Sequence, residues 1–327
     1  MKKLWFVLTL TGLFFIQGVF CGTTPPVAAK EFPSKNIRWI VPYKPGGGFD
    51  TYSRAVARTM KKFLPEGRNI IVTNKPGAGG QVATSLLYRS KPDGHTIAIL
   101  PMPGQFVPQM FHKTKYDVKQ LTWLGTILNE PMFLILAESS KFKSLKELQQ
   151  ADVVRIASTG LTGPEIVTPI TMEALGIKAK FITGHGSSKE AALAAMRGDA
   201  DAILFTYGTN RGYVKSKQFK GLVMIGTDKR SDEFPDVPTA TELGYPQLED
   251  LGAWRVVAGP PKLPKDRYNF LSDILMKSMN DPEFTAWSKK SKRPVTPYDG
   301  QTTEKKLTAI IRQYDQDYRE LLKKYIK

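Results

Sequence analysis

Two glycine-rich segments hold the residue types whose spacing could do chemistry. The first reads Ile40-Val41-Pro42-Tyr43-Lys44-Pro45-Gly46-Gly47-Gly48-Phe49-Asp50 and the second Ile71-Val72-Thr73-Asn74-Lys75-Pro76-Gly77-Ala78-Gly79-Gly80-Gln81. In each, a short apolar β-type run stops at proline and glycine, and an amphipathic helical pattern follows. Glycine lets a ligand approach the backbone without meeting a Cβ. The helix start behind it offers unpaired N–H groups and the positive end of a dipole. Two such turns in successive βα units would aim two sets of donors at one crevice, which suits a carboxylate or another small anion. A single turn of this kind would read as glycine for geometry alone; the repetition points to a site.

The theme returns with hydroxyls. Val154–Ser158 reads as a strand ending in Thr159-Gly160-Leu161-Thr162-Gly163-Pro164, and Lys180–Ile182 as a strand ending in Thr183-Gly184-His185-Gly186-Ser187-Ser188. Hydroxyls and backbone N–H groups can bind an anion without a full opposing charge, so release stays easy.

The elements that must position these loops alternate strand and helix. Ile37–Pro42, Asn69–Asn74, Thr96–Leu100, Trp123–Leu128 and Met132–Ala137 read as strands, as do Ala202–Thr206, Leu222–Gly226 and Trp254–Ala258. Thr51–Leu64 places Tyr52, Val56, Met60 and Phe63 on one face, with Asp50 as N-cap. Helices are also expected over 81–90, 144–150 behind a Ser144 cap, 165–175 and 189–197. The C-terminal part reads as helical over 265–280, 282–290 and 303–325. In the last of these Leu307, Ile310, Ile311, Tyr314, Tyr318, Leu321 and Leu322 form a packing stripe. Such alternation implies an α/β fold with mostly parallel sheets flanked by helices and ligands beyond the carboxyl ends of the strands. Two halves facing across a cleft would close by a hinge. The expected division is a first lobe of 35–134 plus 255–327 and a second of 135–254.

The chain has 327 residues, 41% of them hydrophobic, enough for a sizeable core. Met1-Lys2-Lys3 followed by the apolar run Leu4 to Phe20 is the pattern of a secretory signal peptide over residues 1–29, too short for a confident membrane span. Two processing readings stand: cleavage after Ala29, or a lipid anchor on Cys21. Phe20 and Gly18 stand where a lipoprotein signal prefers a small and an aliphatic residue. Cys21 is the only cysteine, so no internal disulfide is expected. The formal net charge of +17 would suit nucleic acid, but an exported chain rarely meets it, and the lysine clusters lack interleaved aromatics. A basic surface that steers anionic ligands or meets an anionic membrane face is the better reading.

Other chemistries find no support. A P-loop needs lysine and serine or threonine behind its glycines, where Phe49-Asp50 stands. Gly77-Ala78-Gly79-Gly80-Gln81-Val82 misses the last glycine of a dinucleotide fingerprint, no Gly-x-Ser-x-Gly elbow exists, and His95, His112 and His185 lack metal-ligand spacing. No catalytic residue, metal or cofactor is expected.

The segments Pro42–Asp50, Asn74–Gly80 and Lys91-Pro92-Asp93-Gly94-His95-Thr96 resemble the three N-terminal signatures of the Bug family, the extracytoplasmic solute receptors of tripartite tricarboxylate transporters. Ser144-Leu145-Lys146-Glu147-Leu148, Gly198-Asp199-Ala200-Asp201 and Pro235-Asp236-Val237-Pro238-Thr239-Ala240-Thr241-Glu242-Leu243-Gly244 continue the match in order, over nearly the whole mature chain. The resemblance implies a two-lobed periplasmic-binding-protein fold of type II, flytrap-like, and no catalysis or cofactor. It also implies a monomer that binds a small organic acid and serves a membrane permease of one large and one small subunit. Carried over by motif position, the ligand-binding candidates are Tyr43, Gly47, Gly48, Phe49, Asp50, Gly79, Gly80 and Gln81 in the first lobe. In the second they are Thr159, Gly160, Thr162, Ser187 and Ser188. Asp50 is read as shaping the loop unless the ligand carries an amino group. Phe49 stands where a smaller residue is common and would narrow the pocket or favour an aromatic or apolar ligand body. Glu165 is read as a solvated first-turn residue, and His185 as packed. A ligand-sensing partner of a membrane signalling protein is the alternative, and an exported α/β enzyme acting on small anions a weaker one, since no nucleophile–base pair supports it.

Overall fold

The structure, a computed structural model, describes Met1, residues 32–160 and residues 163–325. The expected signal segment with Cys21 and Ala29, and the candidate Thr162, lie outside the described residues.

Two sheets carry the fold. The first is built from β1 (Ile37–Val41), β2 (Ile70–Asn74), β3 (Thr96–Met102), β4 (Thr122–Glu130), β10 (Ala253–Gly259) and β11 (Tyr298–Asp299), in the order β11-β4-β10-β3-β1-β2. The second is built from β5 (Met132–Ala137), β6 (Val154–Ala157), β7 (Ala179–Ile182), β8 (Ala202–Thr206) and β9 (Phe219–Ile225), in the order β7-β6-β8-β5-β9. Each sheet with its helices makes one lobe of an α/β fold. The sheets are mixed where mostly parallel ones are expected. The βα repeats do give parallel pairs, β2-β1-β3 and β7-β6-β8. The strands that enter from the other lobe, β5 and β10, run against their neighbours. A strand arriving without a crossover helix has no geometric need to be parallel.

Burial follows composition. β5, Met-Phe-Leu-Ile-Leu-Ala, is buried at every position, as a strand covered on both faces must be. Along β10 the faces alternate: Trp254 and Val256 join the apolar cluster with Leu307 and Ile310, while Val257 joins the cluster of Tyr52, Val56, Leu271 and Phe284. Arg255 shares the second of these faces, and the β10–β4 register shifts between Arg255 and Val256, a bulge of the kind that re-aims a side chain.

The chain crosses between lobes at two adjoining places. Glu130 ends β4 and, after Pro131 alone, Met132 begins β5. The return passes Gly226 and Gly252. Gly226 has φ +82°, and a Cβ there would lie 2.7 Å from the Gly252 Cα; a Cβ on Gly252 would overlap the Asn129 amide oxygen. Asn129 Nδ2 in turn donates to the Gly226 carbonyl at 3.0 Å. Only glycine permits these segments to lie so close.

The helices behind the candidate loops are α1 (Gly48–Met60), α2 (Gln81–Tyr88), α5 (Val167–Ala174) and α6 (Ser188–Met196). Between them in chain order come the short α3 (Val107–Phe111) and α4 (Leu145–Gln150), the latter capped by Ser144 as expected. A nine-residue helix absent from the sequence expectations, α7 (Tyr207–Lys215), follows β8 directly. The tail forms α8 (Lys265–Met279), α9 (Pro282–Ser291), α10 (Gly300–Gln313), a π-helical segment Tyr314–Tyr318 and α11 (Arg319–Lys323). The stripe expected over 303–325 is thus interrupted once, and its end reaches the second sheet. Leu322 is fully buried, and Tyr325 meets Phe181 of β7 edge-on at 5.2 Å.

The Gly198–Asp201 motif has a structural role. Asp201 is buried, accepts the Arg155 N–H at 2.8 Å and pairs with the Arg155 guanidinium at 2.8 Å. The same guanidinium caps the Gly198 carbonyl at 2.8 Å. Burial alone would raise the Asp201 carboxyl, but the bonds from Arg155 outweigh it and hold the pKa below the usual value. A depressed folded-state pKa contributes stability above the unfolded pKa that is lost as pH falls through the folded one. Asp201→Asn is therefore expected to cost about 2 kcal/mol near pH 7, less than a wholly buried pair because Arg155 is 40% exposed. Urea unfolding should show that deficit shrinking towards pH 3.

Candidate functional site

The β1–α1 loop is organised by Asp50. Its carboxylate accepts the Gly46 N–H at 2.9 Å, the Asn74 amide at 2.9 Å and Arg54 Nε at 3.0 Å. Burial raises its pKa, but these bonds and Arg54 bring it below the usual carboxylate value. Asp50 is not the helix cap: α1 begins at Gly48, and Gly47 is the N-cap, with no side-chain acceptor. Asp50 sits in the first turn and reaches back to fix the glycines. Among the described residues, the N–H groups of Gly48 and Phe49 find no acceptor. Thirteen residues of helix thus present an open positive end.

The second glycine turn is tighter. Gly79 and Gly80 have φ +62° and +100°, and a Cβ on Gly80 would lie 2.9 Å from Gln105 Nε2 and 3.2 Å from Pro42. Gln105, fully buried, donates to the Gly79 carbonyl at 2.9 Å and accepts from Thr84 at 2.8 Å. Gln81 is half-buried at the start of α2.

In the second lobe Thr159 donates to Glu165 at 2.9 Å, and Gly160 N–H donates to Ser158 Oγ at 3.2 Å. Glu165 differs from its expected solvated role. Burial pushes its pKa up, with the Thr159 bond opposing, and its charge is felt by Tyr43 across the gap. The Tyr43 phenol is pushed up to about 12 by burial, with Glu165 adding and Arg255 opposing. Ser187 is the N-cap of α6: its oxygen accepts the Glu190 N–H at 3.2 Å while Glu190 accepts the Gly186 N–H at 2.8 Å, a capping box. Neither Ser187 nor Ser188 makes a hydrogen bond to the first lobe among the described residues. His185 Nε2 is buried without a partner.

The structure adds groups that the sequence reading missed. Tyr43 and Phe49 meet edge-on at 4.9 Å, and the Arg255 guanidinium lies 5.0 Å from the Phe49 ring and 5.4 Å from Tyr52. Phe49 is thus a partition between Tyr43 and Arg255. Arg255 Nη1 pairs with Glu130 at 2.6 Å, both side chains about nine-tenths buried, and Glu130 also accepts the Gly208 N–H of α7 at 3.0 Å. The other guanidinium edge is uncommitted: Nε is buried without an acceptor, and a Cβ on Gly48 would stand 3.4 Å from Nη2 and 3.9 Å from Nε. The same Cβ would be 3.9 Å from Arg293 Nη1. Gly48, Tyr52, Glu130, Arg255 and Arg293 line a cavity of about 380 Å³ together with Thr209 and Arg211 of α7; Tyr43 and Phe49 stand outside its lining. A single charged residue inside an otherwise apolar strand, Ala253-Trp254-Arg255-Val256-Val257, was the available signal. A larger cavity, about 560 Å³, lies by the crossings around Asn129, Arg230 and Lys306. Among the described residues it contains none of the candidates, and two of its cations are matched, Lys306 by Asp250 at 3.1 Å and Arg230 by Glu242 at 2.9 Å.

Two mixed sheets flanked by helices and joined by adjoining crossings define the architecture of a two-lobed solute-binding protein. The fold matches that of a TctC solute-binding protein from Polaromonas, at TM-score 0.75 and 24% identity over 90% of this chain and 99% of that one. MatC from Rhodopseudomonas palustris, with bound malate, matches at TM-score 0.66 and 21% identity over 89% and 100%. The profile of the tripartite tricarboxylate transporter family receptor matches residues 52–319, and the chain belongs to that family. Protein BugT of Bordetella pertussis is 28% identical over 276 residues, 77% of this chain and 80% of BugT. Among the described residues no helix is long and apolar enough to cross a membrane.

Proposed function

We propose that this chain is a periplasmic receptor that binds a small organic acid between its lobes and delivers it to a tripartite permease of one large and one small membrane subunit, without transforming it. The observation that carries the reading is the open N-terminus of α1. The Gly48 and Phe49 N–H groups lack acceptors among the described residues, and Gly48 lines the 380 Å³ cavity, so a carboxylate there would satisfy them. The Gly79–Gly80 turn and Gln81 would hold the acid from α2, and Thr159 with Gly160 would close from the second lobe. Glu165, half-buried and bonded to Thr159, would disfavour a ligand carboxylate beside the Thr159 loop. The malate held by the related MatC fits a ligand of this chemistry. The lobe of the first sheet would move against that of the second about the Asn129–Gly226–Gly252 junction.

Isothermal titration of refolded, ligand-free protein against linear mono- and dicarboxylates of two to six carbons tests the reading. At least one acid is expected to bind at roughly micromolar Kd, about −8 kcal/mol. Failure of every acid to produce heat or to raise Tm would overturn it.

A further inference from the structure

The 380 Å³ cavity beside Gly48 has a charge imbalance that the first carboxylate does not use. Its wall brings Arg255, Lys292 and Arg293 from the first lobe and Arg211 from the second, against one lining carboxylate, Glu130. Glu130 is committed to Arg255 Nη1 at 2.6 Å, and Arg211 is held by Glu233 at 3.1 Å. Among the described residues no acidic group lies within ion-pair distance of Arg293 or Lys292. The Arg293 guanidinium and the Nε edge of Arg255 therefore stand at a hollow of ligand size without an acidic partner, while Lys292 is exposed at its rim.

Such a cluster works against closure in an empty protein, because bringing Arg211 of α7 towards Arg255 and Arg293 crowds like charges in a poorly hydrated space. An anion removes that penalty. Planar guanidinium groups present paired donors that match a carboxylate better than a point charge would. Gly48 lets the ligand reach them, since any side chain there would occupy the path.

We propose that this cavity is a second anion subsite, taking the distal carboxylate of a dicarboxylic acid on Arg255 and Arg293, with Arg211 completing it from the other lobe. The inference rests on the reading of the chain as a carboxylate receptor and narrows it: the ligand carries two anionic groups, one on the α1 N-terminus and one on the arginines. The subsite also supplies the closing force, because the second carboxylate is attracted to cations on both lobes at once.

The test titrates ligand-free protein with each dicarboxylate of four to six carbons and with the monocarboxylate of equal length. The best dicarboxylate is expected to bind at least about 30-fold more tightly than its monocarboxylate partner at low salt, with the ratio shrinking as ionic strength rises. Arg293→Gln, at a half-buried position without an acidic partner, should cut that ratio about tenfold and leave monocarboxylate affinity within about threefold. Arg255→Gln should do the same more strongly, and Arg293→Gln keeps the question decidable if Arg255→Gln does not fold. Monocarboxylates binding as tightly as dicarboxylates, or a ratio untouched in Arg293→Gln, overturns the subsite alone. Absence of binding by either class overturns the receptor reading with it.

Discussion

Gly48→Trp is expected to lower affinity for the best-binding organic acid by at least about 100-fold, roughly 2.8 kcal/mol, while Tm stays within a few degrees of the parent. The argument is geometric. Gly48 is the first residue of α1, and a Cβ there points at Arg255 Nη2 from 3.4 Å and at Arg293 Nη1 from 3.9 Å. An indole extending from that Cβ fills the space between the helix end and the guanidinium groups, where the ligand must lie. The backbone tolerates the change: Gly48 does not have the positive φ of Gly46, +85°, and the first turn of a helix accepts large residues. Gly47→Ala is the positional control. Its Cβ would meet only the Lys44 carbonyl at 3.8 Å, so binding should change less than about threefold. Titration and thermal unfolding of the two variants separate a blocked pocket from a damaged fold. Equal affinity in Gly48→Trp and the parent would move the ligand away from this helix end.

What could be read from the sequence, and what could not, divides along one physical line. Local pattern was sufficient for the βα units. Strands β1, β2, β6 and β7 are short apolar runs followed within a few residues by proline, glycine, serine or threonine, and the helices α1, α2, α5 and α6 behind them were each expected from the pattern. The helix α7 escaped notice because Tyr-Gly-Thr-Asn-Arg-Gly-Tyr-Val-Lys has two glycines and no apolar periodicity. It is held by tertiary partners instead: Asn210 is buried and donates to the Phe133 carbonyl at 2.8 Å, and Gly208 N–H reaches Glu130 at 3.0 Å. Missing that helix meant missing Arg211. Arg255, Glu130 and Arg293 come from β10, the end of β4 and the segment after α9, far apart in sequence, and no spacing rule joins them. The direction of β5 and β10 was hidden for the same reason, since it depends on which lobe a strand enters from. The half-buried state of Glu165 could not be read either: helical position alone makes a first-turn carboxylate look solvated, and its bond from Thr159 belongs to the folded loop.

Glu130→Gln should separate the two things that Glu130 does. Among the described residues its carboxylate is the one lining group that offsets the Arg255 charge, with both side chains about nine-tenths buried. Removing one partner of such a pair leaves an uncompensated charge, so the ligand-free variant is expected to lose about 3 kcal/mol of stability in urea unfolding. The amide oxygen can still accept the Gly208 N–H, so the crossing from β4 to α7 keeps its bond and the loss is electrostatic. The effect on binding has the opposite sign. Glu130 competes with the ligand for Arg255 and repels any anion entering the cavity. Without its charge a dicarboxylate should bind about tenfold more tightly, a change of the size expected for one charge at short range in a partly screened site. A protein that is less stable empty and gains more from its ligand is a combination that simple damage does not produce, because damage weakens both. If dicarboxylate affinity fell together with stability in Glu130→Gln, Glu130 would be holding the Arg255 guanidinium in place for the ligand, and the balance between the acid and the receptor's own carboxylate would not be what sets affinity.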